Sequence, residues 1–190
     1  MKESFFAKNY SACWKFLNEC RWHVVFAVGI FALTFLVGFI YPYFFRTEIF
    51  AFIANMIEMI DSKGAVELMW IIFFNNMKAS FFAIVLGIAF GILPLITVVA
   101  NGYLLGFVSR EAAMQEGLAV MWQLLPHGIF ELPAVILSIG IGMKIGLSLF
   151  GKKGSLKYNF IEGLRFFVFV IFPLLLIAAI IEGLLIGFLG

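Results

Sequence analysis

Pro126-His127-Gly128-Ile129-Phe130-Glu131-Leu132-Pro133 opens an apolar stretch that continues to about Ile145. A run of about 20 such residues crosses a bilayer as one α-helix. The histidine and the carboxylate four residues apart inside it are out of character, because a charged group near the bilayer centre costs at least ~2.5 kcal/mol on insertion scales. Ionisable groups kept there face a partner helix, a cavity or a functional site. On a helix His127 and Glu131 share one face, a turn apart, so the imidazole can bond the carboxylate. Burial favours the neutral form of each and hence a shared proton.

Outward from this stretch the chain keeps the same character. Hydrophobic residues make up 64% of the 190 positions and charged ones 13%, and several further stretches are long enough to cross. The fold class is therefore all-α: a polytopic helical membrane protein of about five transmembrane helices, with an amphipathic interfacial helix and a candidate re-entrant segment. No loop approaches the ~50 residues of a small soluble domain, so residues 1–190 form one membrane domain surrounded by membrane lipid. The net charge of +2 is carried by scattered basic residues, which points to no nucleic-acid partner.

Residues 1–23 form a basic tail with Lys2, Lys8, Lys15 and Arg21. The apolar run after it is too long for a signal-peptide core and reads as an anchor that stays. Cys13 and Cys20 fit neither a zinc nor a redox pattern and read as inert thiols facing a reducing cytoplasm. Residues 24–44 form the first span, ended by the interfacial Tyr41-Pro42-Tyr43. In residues 46–67, Arg46, Glu48, Asn55, Glu58, Asp61 and Lys63 alternate with Ile49, Phe50, Ile53, Met56, Ile57 and Ile60 at helical spacing, the pattern of a helix lying on the membrane surface.

Residues 68–190 hold the remaining spans. The part up to residue 100 parses in two ways. Either a span ends before Pro94 and another runs from there to Ser109, or one span reaches Ala100 and turns at Asn101-Gly102. The fourth span starts near Pro126, since proline suits the first helical turn. Residues 118–125 are the candidate re-entrant segment, residues 151–157 a basic loop, and residues 164–188 the last span, with Glu182 inside it. Five crossings with the N-terminus inside gather Lys2, Lys8, Lys15, Arg21, Lys144, Lys152, Lys153, Lys157 and Arg165 on one face. Four crossings would place Lys152 and Lys153 opposite the basic tail and rank second. The expectation is a multi-pass cell-membrane protein with a cytoplasmic N-terminus.

Asn75, Asn76, Asn101, His127, Glu131 and Glu182 form a candidate buried polar cluster. It either fixes helix register through interhelical hydrogen bonds worth ~0.6 kcal/mol each or lines an ion or proton path. Gly87 with Gly91, Gly102 with Gly106, Gly142 with Gly146, and Gly183 with Gly187 make small-xxx-small pairs. Intramolecular packing is favoured for these pairs, with a homo-oligomer as the other outcome. No catalytic residue, metal or cofactor is expected: His23 lies far from His127 in the map, a catalytic zinc needs three protein ligands, and HExxH or GxSxG motifs are absent. The two matching halves of many transporters are missing too.

The ordered series Phe74-Asn75-Asn76, Gly87 and Gly91, Asn101-Gly102 with Gly106, Pro126-His127-Gly128 with Glu131-Leu132-Pro133-Ala134, Gly142 and Gly146, and Ile181-Glu182 resembles the stage II sporulation protein M family. The resemblance covers roughly residues 73–182; before Phe73 only the layout of tail, span and surface helix is shared. It implies a small membrane protein of about five spans with no catalytic activity of its own. It also implies a scaffold for envelope or cell-wall hydrolases such as stage II sporulation proteins D and P. The runner-up is a small transporter or channel subunit using the buried Glu, His and Asn residues.

Overall fold

The computed structural model describes residues 4–60, 63–151 and 155–189. They form seven α-helices: α1 (Phe5–Ile40), α2 (Arg46–Ile60), α3 (Ala65–Val85), α4 (Ile92–Glu116), α5 (Met121–Ser148), α6 (Leu156–Phe166) and α7 (Phe172–Leu189). Five stretches, Phe5–Ile40, Val66–Ile88, Ile92–Glu116, Gly128–Ser148 and Leu156–Leu185, are long and apolar enough to span a membrane. The chain is a polytopic helical membrane protein.

The tail expected over residues 1–23 is helical from Phe5 onward. Cys13, Phe16, Cys20 and His23 recur at three and four residues and make a buried stripe, so tertiary burial continues the helix through the basic stretch. At ~1.5 Å per residue the 36 residues of α1 are roughly 54 Å long, against the ~30 Å of a hydrocarbon core. The helix stops at Ile40, four residues short of the expected end, because Pro42 disfavours a helical Tyr41. The last turn closes with the Tyr41 N–H donating to the Val37 carbonyl at 2.8 Å. The surface helix is likewise shorter than expected. It ends at Ile60, and Glu67 belongs to the first turn of α3, where it pairs with Lys63.

Of the two parses for residues 68–100, the first holds. The chain reverses at Phe90 and Gly91, whose φ angles of 58° and 71° are left-handed. Pro94 is then the third residue of α4, where its missing N–H leaves no bond unmade, and Asn101-Gly102 lies in mid-helix. That argument does not hold for Pro126. The helix α5 begins at Met121, so Pro126 and Pro133 both sit inside it, each omitting one backbone bond. Leu118–Val120 is a single 3₁₀ turn leading directly into α5. The last span starts at Leu156 rather than 164, with a π-helical turn, Phe167–Ile171, joining α6 to α7. Pro173 lies two residues beyond Ile171 and cannot donate to the Phe169 carbonyl. The wider turn, in which the Phe172 N–H donates to Phe167 five residues back, accommodates the crowding by its ring. Lys2, Asp61, Lys152 and Lys153 lie outside the described residues.

Neighbouring residues fix the directions of the helices. Gly102 meets Phe31 and Thr34, and Gly106 meets Phe35 and Phe39, so α1 and α4 run parallel. Val24 lies against Gly140 and Glu19 against Lys144, so α1 and α5 run antiparallel. Ala83 and Gly87 touch Gly142 while Gly91 touches Gly146, which makes α3 and α5 parallel. Met69 meets Gly183 and Phe81 meets Phe167, which makes α3 and α7 antiparallel. Five alternating crossings require these four relations.

Candidate functional site: the Glu131 cleft and the Lys144 ion pair

Glycine sets how closely the helices approach. A Cβ added to Gly142 would collide with the Ala83 carbonyl, and one on Gly106 with the Phe35 carbonyl. The Gly87, Gly91, Gly142 and Gly146 backbones are mutually in contact at the α3–α5 crossing, and Gly102 and Gly106 seat α4 on α1. Because a lipid environment supplies no hydrophobic drive between helices, such close van der Waals contact is what holds them together.

This packing leaves a cleft of about 980 Å³ between α1, α4 and α5, open on one side. Its α1 wall carries Val24, Val28, Phe31, Ala32 and Phe35, its α4 wall Leu105 and Ser109, and its α5 wall Gly128, Ile129, Glu131, Leu132, Pro133, Ile136 and Leu137. Among the described residues on these walls, Glu131 is the one that is ionisable. A second cleft, about 860 Å³, lies between α1, α4 and the start of α2, with Phe44, Phe45, Glu48, Ile49 and Phe52 against Leu95, Ile96 and Val99. Beside it the Tyr103 hydroxyl donates to the Phe44 carbonyl at 2.9 Å, and Arg110 donates to the Phe39 carbonyl at 3.0 Å. Arg46 pairs with Glu111 at 3.3 Å. Together these contacts fasten the end of α1 and the start of α2 to α4.

The six residues of the expected polar cluster do not all share a buried site. Asn75 is exposed, because Phe73 and Ser80 define the buried face of α3 and a residue two positions from Phe73 points ~200° away from it. Asn101 is also exposed, and its amide donates to the Thr97 carbonyl of its own helix at 2.8 Å. Asn76, Glu131 and Glu182 are half-buried, on α3, α5 and α7. The His127 side chain, and with it the expected His127–Glu131 pair, lies outside the described residues.

A different charged group is buried instead. Lys144 of α5 is 3% exposed. Its Nζ lies 2.9 Å from Glu19 Oε2 on α1 and 4.5 Å above the Phe16 ring. The Tyr158 hydroxyl of α6 donates to the other Glu19 oxygen at 3.1 Å. Three helices thus meet at one ion pair with a cation–π floor. In the sequence Lys144 reads as one more basic residue at a membrane edge. The available signal was that it is the one basic residue in the stretch 128–148 and that Glu19 lies on the Phe16 side of a helix.

With this geometry in view, the comparisons with known proteins are specific. The profile of stage II sporulation protein M matches residues 23–185. The chain belongs to the stage II sporulation protein M family. The match takes in the end of the α1 stripe, both clefts, Lys144 and Glu182, so the family extends well before Phe73, where the sequence resemblance had thinned to a shared layout. One uncharacterised protein of Methanocaldococcus jannaschii is 31% identical over 107 residues, 52% of this chain and 48% of that protein. A second from the same organism is 36% identical over 73 residues, 37% of this chain and 41% of the relative. The match thus spans under half the length of these family relatives. No solved structure matches.

Proposed function

We propose that this member of the stage II sporulation protein M family is a non-enzymatic scaffold or assembly factor, seated in the cell membrane with its N-terminus in the cytoplasm. The observation that carries the reading is the distribution of apolar surface. The interior is filled by Phe107, Ile139, Ile141, Ile145 and Ile171 at 0% exposure, and both large clefts are apolar grooves between helices. A closely packed body with apolar grooves between its helices suits holding other membrane components in place. The family resemblance supplies the partner class, envelope or cell-wall hydrolases. The test is affinity capture of the tagged protein from its native membrane in mild detergent, with mass spectrometry of what co-purifies. Envelope enzymes enriched over an untagged control support the scaffold; a homogeneous protein without partners counts against it.

A transporter or channel subunit is the second reading, favoured by the half-buried Glu131 and Glu182 in spanning helices. It requires flux in liposomes that hold the protein alone and loss of that flux in Glu131→Gln or Glu182→Gln.

A further inference from the structure

The length of α1 exceeds the hydrocarbon core by roughly 24 Å, and ring contacts show where the extra turns go. From Val24 onward the helix runs antiparallel to α5 and hence parallel to α7. Its first half makes the opposite relation with α6, which leads through the π-helical turn straight into α7. The Phe16 ring lies 6.2 Å from that of Tyr158, whereas the Phe5 and Tyr10 rings lie 6.0 and 6.1 Å from that of Phe169. Moving from Phe16 to Phe5 along α1 therefore moves forward from α6 toward α7, in the direction of the bilayer. One helix satisfies both relations only if its first half crosses α6 steeply and lies across the end of the bundle. Phe169 is four residues past Arg165, and from Phe166 to Leu185 the one charged residue is Glu182. The beginning of α1 thus returns to the membrane interface instead of projecting into water.

Cys13, Phe16 and Cys20 of this half face the bundle. Tyr10 and Trp14, four residues apart, share one outer flank, and Lys8 and Lys15, seven apart, share another. Tyr10 is 51% and Trp14 69% exposed. Lys8, Lys15 and Arg21 are exposed as well, and Glu19, the one acid in residues 4–23, is held by Lys144. The outer surface is therefore aromatic and cationic. We propose that the first half of α1 binds an anionic lipid surface, with Tyr10 and Trp14 sunk among the headgroups and Lys8, Lys15 and Arg21 reaching the lipid phosphates. Amphipathic rings collect at headgroup depth, and lysine stems lie along apolar surface while their ammonium groups reach outward. Anionic headgroups attract basic residues clustered beside a span. The level of Phe169 and the sign of the charge together select a lipid surface over a soluble partner. This surface stands apart from the scaffold reading and is tested separately from it.

The experiment places a nitroxide spin label on Trp14→Cys or Lys15→Cys, both exposed positions, in the full chain held in nanodiscs of phosphatidylcholine alone or mixed equally with phosphatidylglycerol. The buried native Cys13 and Cys20 are controlled for with the unsubstituted chain. The readout is collision of the label with oxygen, which concentrates in the bilayer, against collision with a neutral nickel chelate, which stays in water. The expected result is a higher oxygen-to-nickel ratio at position 14 than at position 15, and a further rise at position 14 when phosphatidylglycerol is present. Lys8→Gln with Lys15→Gln and Arg21→Gln should abolish that rise, and Lys8→Arg with Lys15→Arg, which keeps both charges, should preserve it. Nickel dominating equally at both positions would put the helix in water and overturn the proposal. So would a ratio at position 14 that is indifferent to phosphatidylglycerol, or a label there shielded from both reagents by a second copy or another protein. Circular dichroism of each variant keeps a folding defect from being read as lost binding.

Discussion

Lys144 is the buried end of the ion pair that joins α5 to α1. With 4% of its side chain exposed against 34% for Glu19, it depends on that carboxylate far more than the carboxylate depends on it. Removing one partner of a fully buried pair costs ~3–5 kcal/mol. The partial exposure of Glu19 lowers this, so Glu19→Gln should destabilise by about 1–3 kcal/mol in SDS-induced unfolding. Lys144→Met with Glu19→Gln should recover most of the loss, because no buried charge is left unpaired; a double variant no better than Glu19→Gln would remove the ion pair from the account. The Arg46–Glu111 pair makes the contrast. Arg46 is half exposed, and Arg46→Gln should change stability by less than about 1 kcal/mol in the same assay. Individual side chains were the least legible level of this sequence. Hydropathy says that a charge inside a span needs a partner, yet the partner of Lys144 lies 125 residues away, and no periodicity points to it. Asn75 and Asn101 looked alike on the page, and only the phase of each helix shows that both are exposed.

Among the elements, the α3–α4 reversal carries the clearest strain. Gly91 holds φ 71°, a conformation that costs an L-residue ~1–2 kcal/mol, and Gly91→Ala should lower stability by that amount although a Cβ there meets no closer neighbour than Met143 at 3.4 Å. Gly142→Val tests the opposite case. Its backbone is ordinary helix, but the added methyls drive into Ala83 and Pro94, and overpacking of this kind costs ~1–3 kcal/mol. Helices themselves were readable because spans of this length have few alternatives in a membrane. Their ends were less so. Pro42 and Pro94 mark true boundaries, whereas Pro126 and Pro133 lie inside α5, and a proline in isolation does not say which kind it is. The extension of α1 back to Phe5 was visible only as the Cys13-Phe16-Cys20-His23 stripe, which charge in the tail obscured.

For the whole molecule, five alternating crossings place Ser4 and Ser155 on one side and Glu116 on the other. A membrane-impermeant maleimide should label Glu116→Cys from outside intact cells and leave Ser4→Cys and Ser155→Cys untouched until the membrane is opened. The native Cys13 and Cys20, both buried, should stay silent throughout; labelling of Ser155→Cys from outside would reverse the topology. The same architecture bears on how the protein is made. Nearly all of the packing of α1 is with α4, α5 and α6, so α1 emerges before its main neighbours. Glu19 waits 125 residues for Lys144, about 6–25 s at ~5–20 residues per second of synthesis. During that interval the Glu19 carboxylate and the Cys13-Phe16-Cys20-His23 stripe lack the surfaces that cover them in the folded chain. A chain halted before α5 has the Glu19 carboxylate in place and not the ammonium that pairs with it, so the α1–α5 contact forms only late in synthesis.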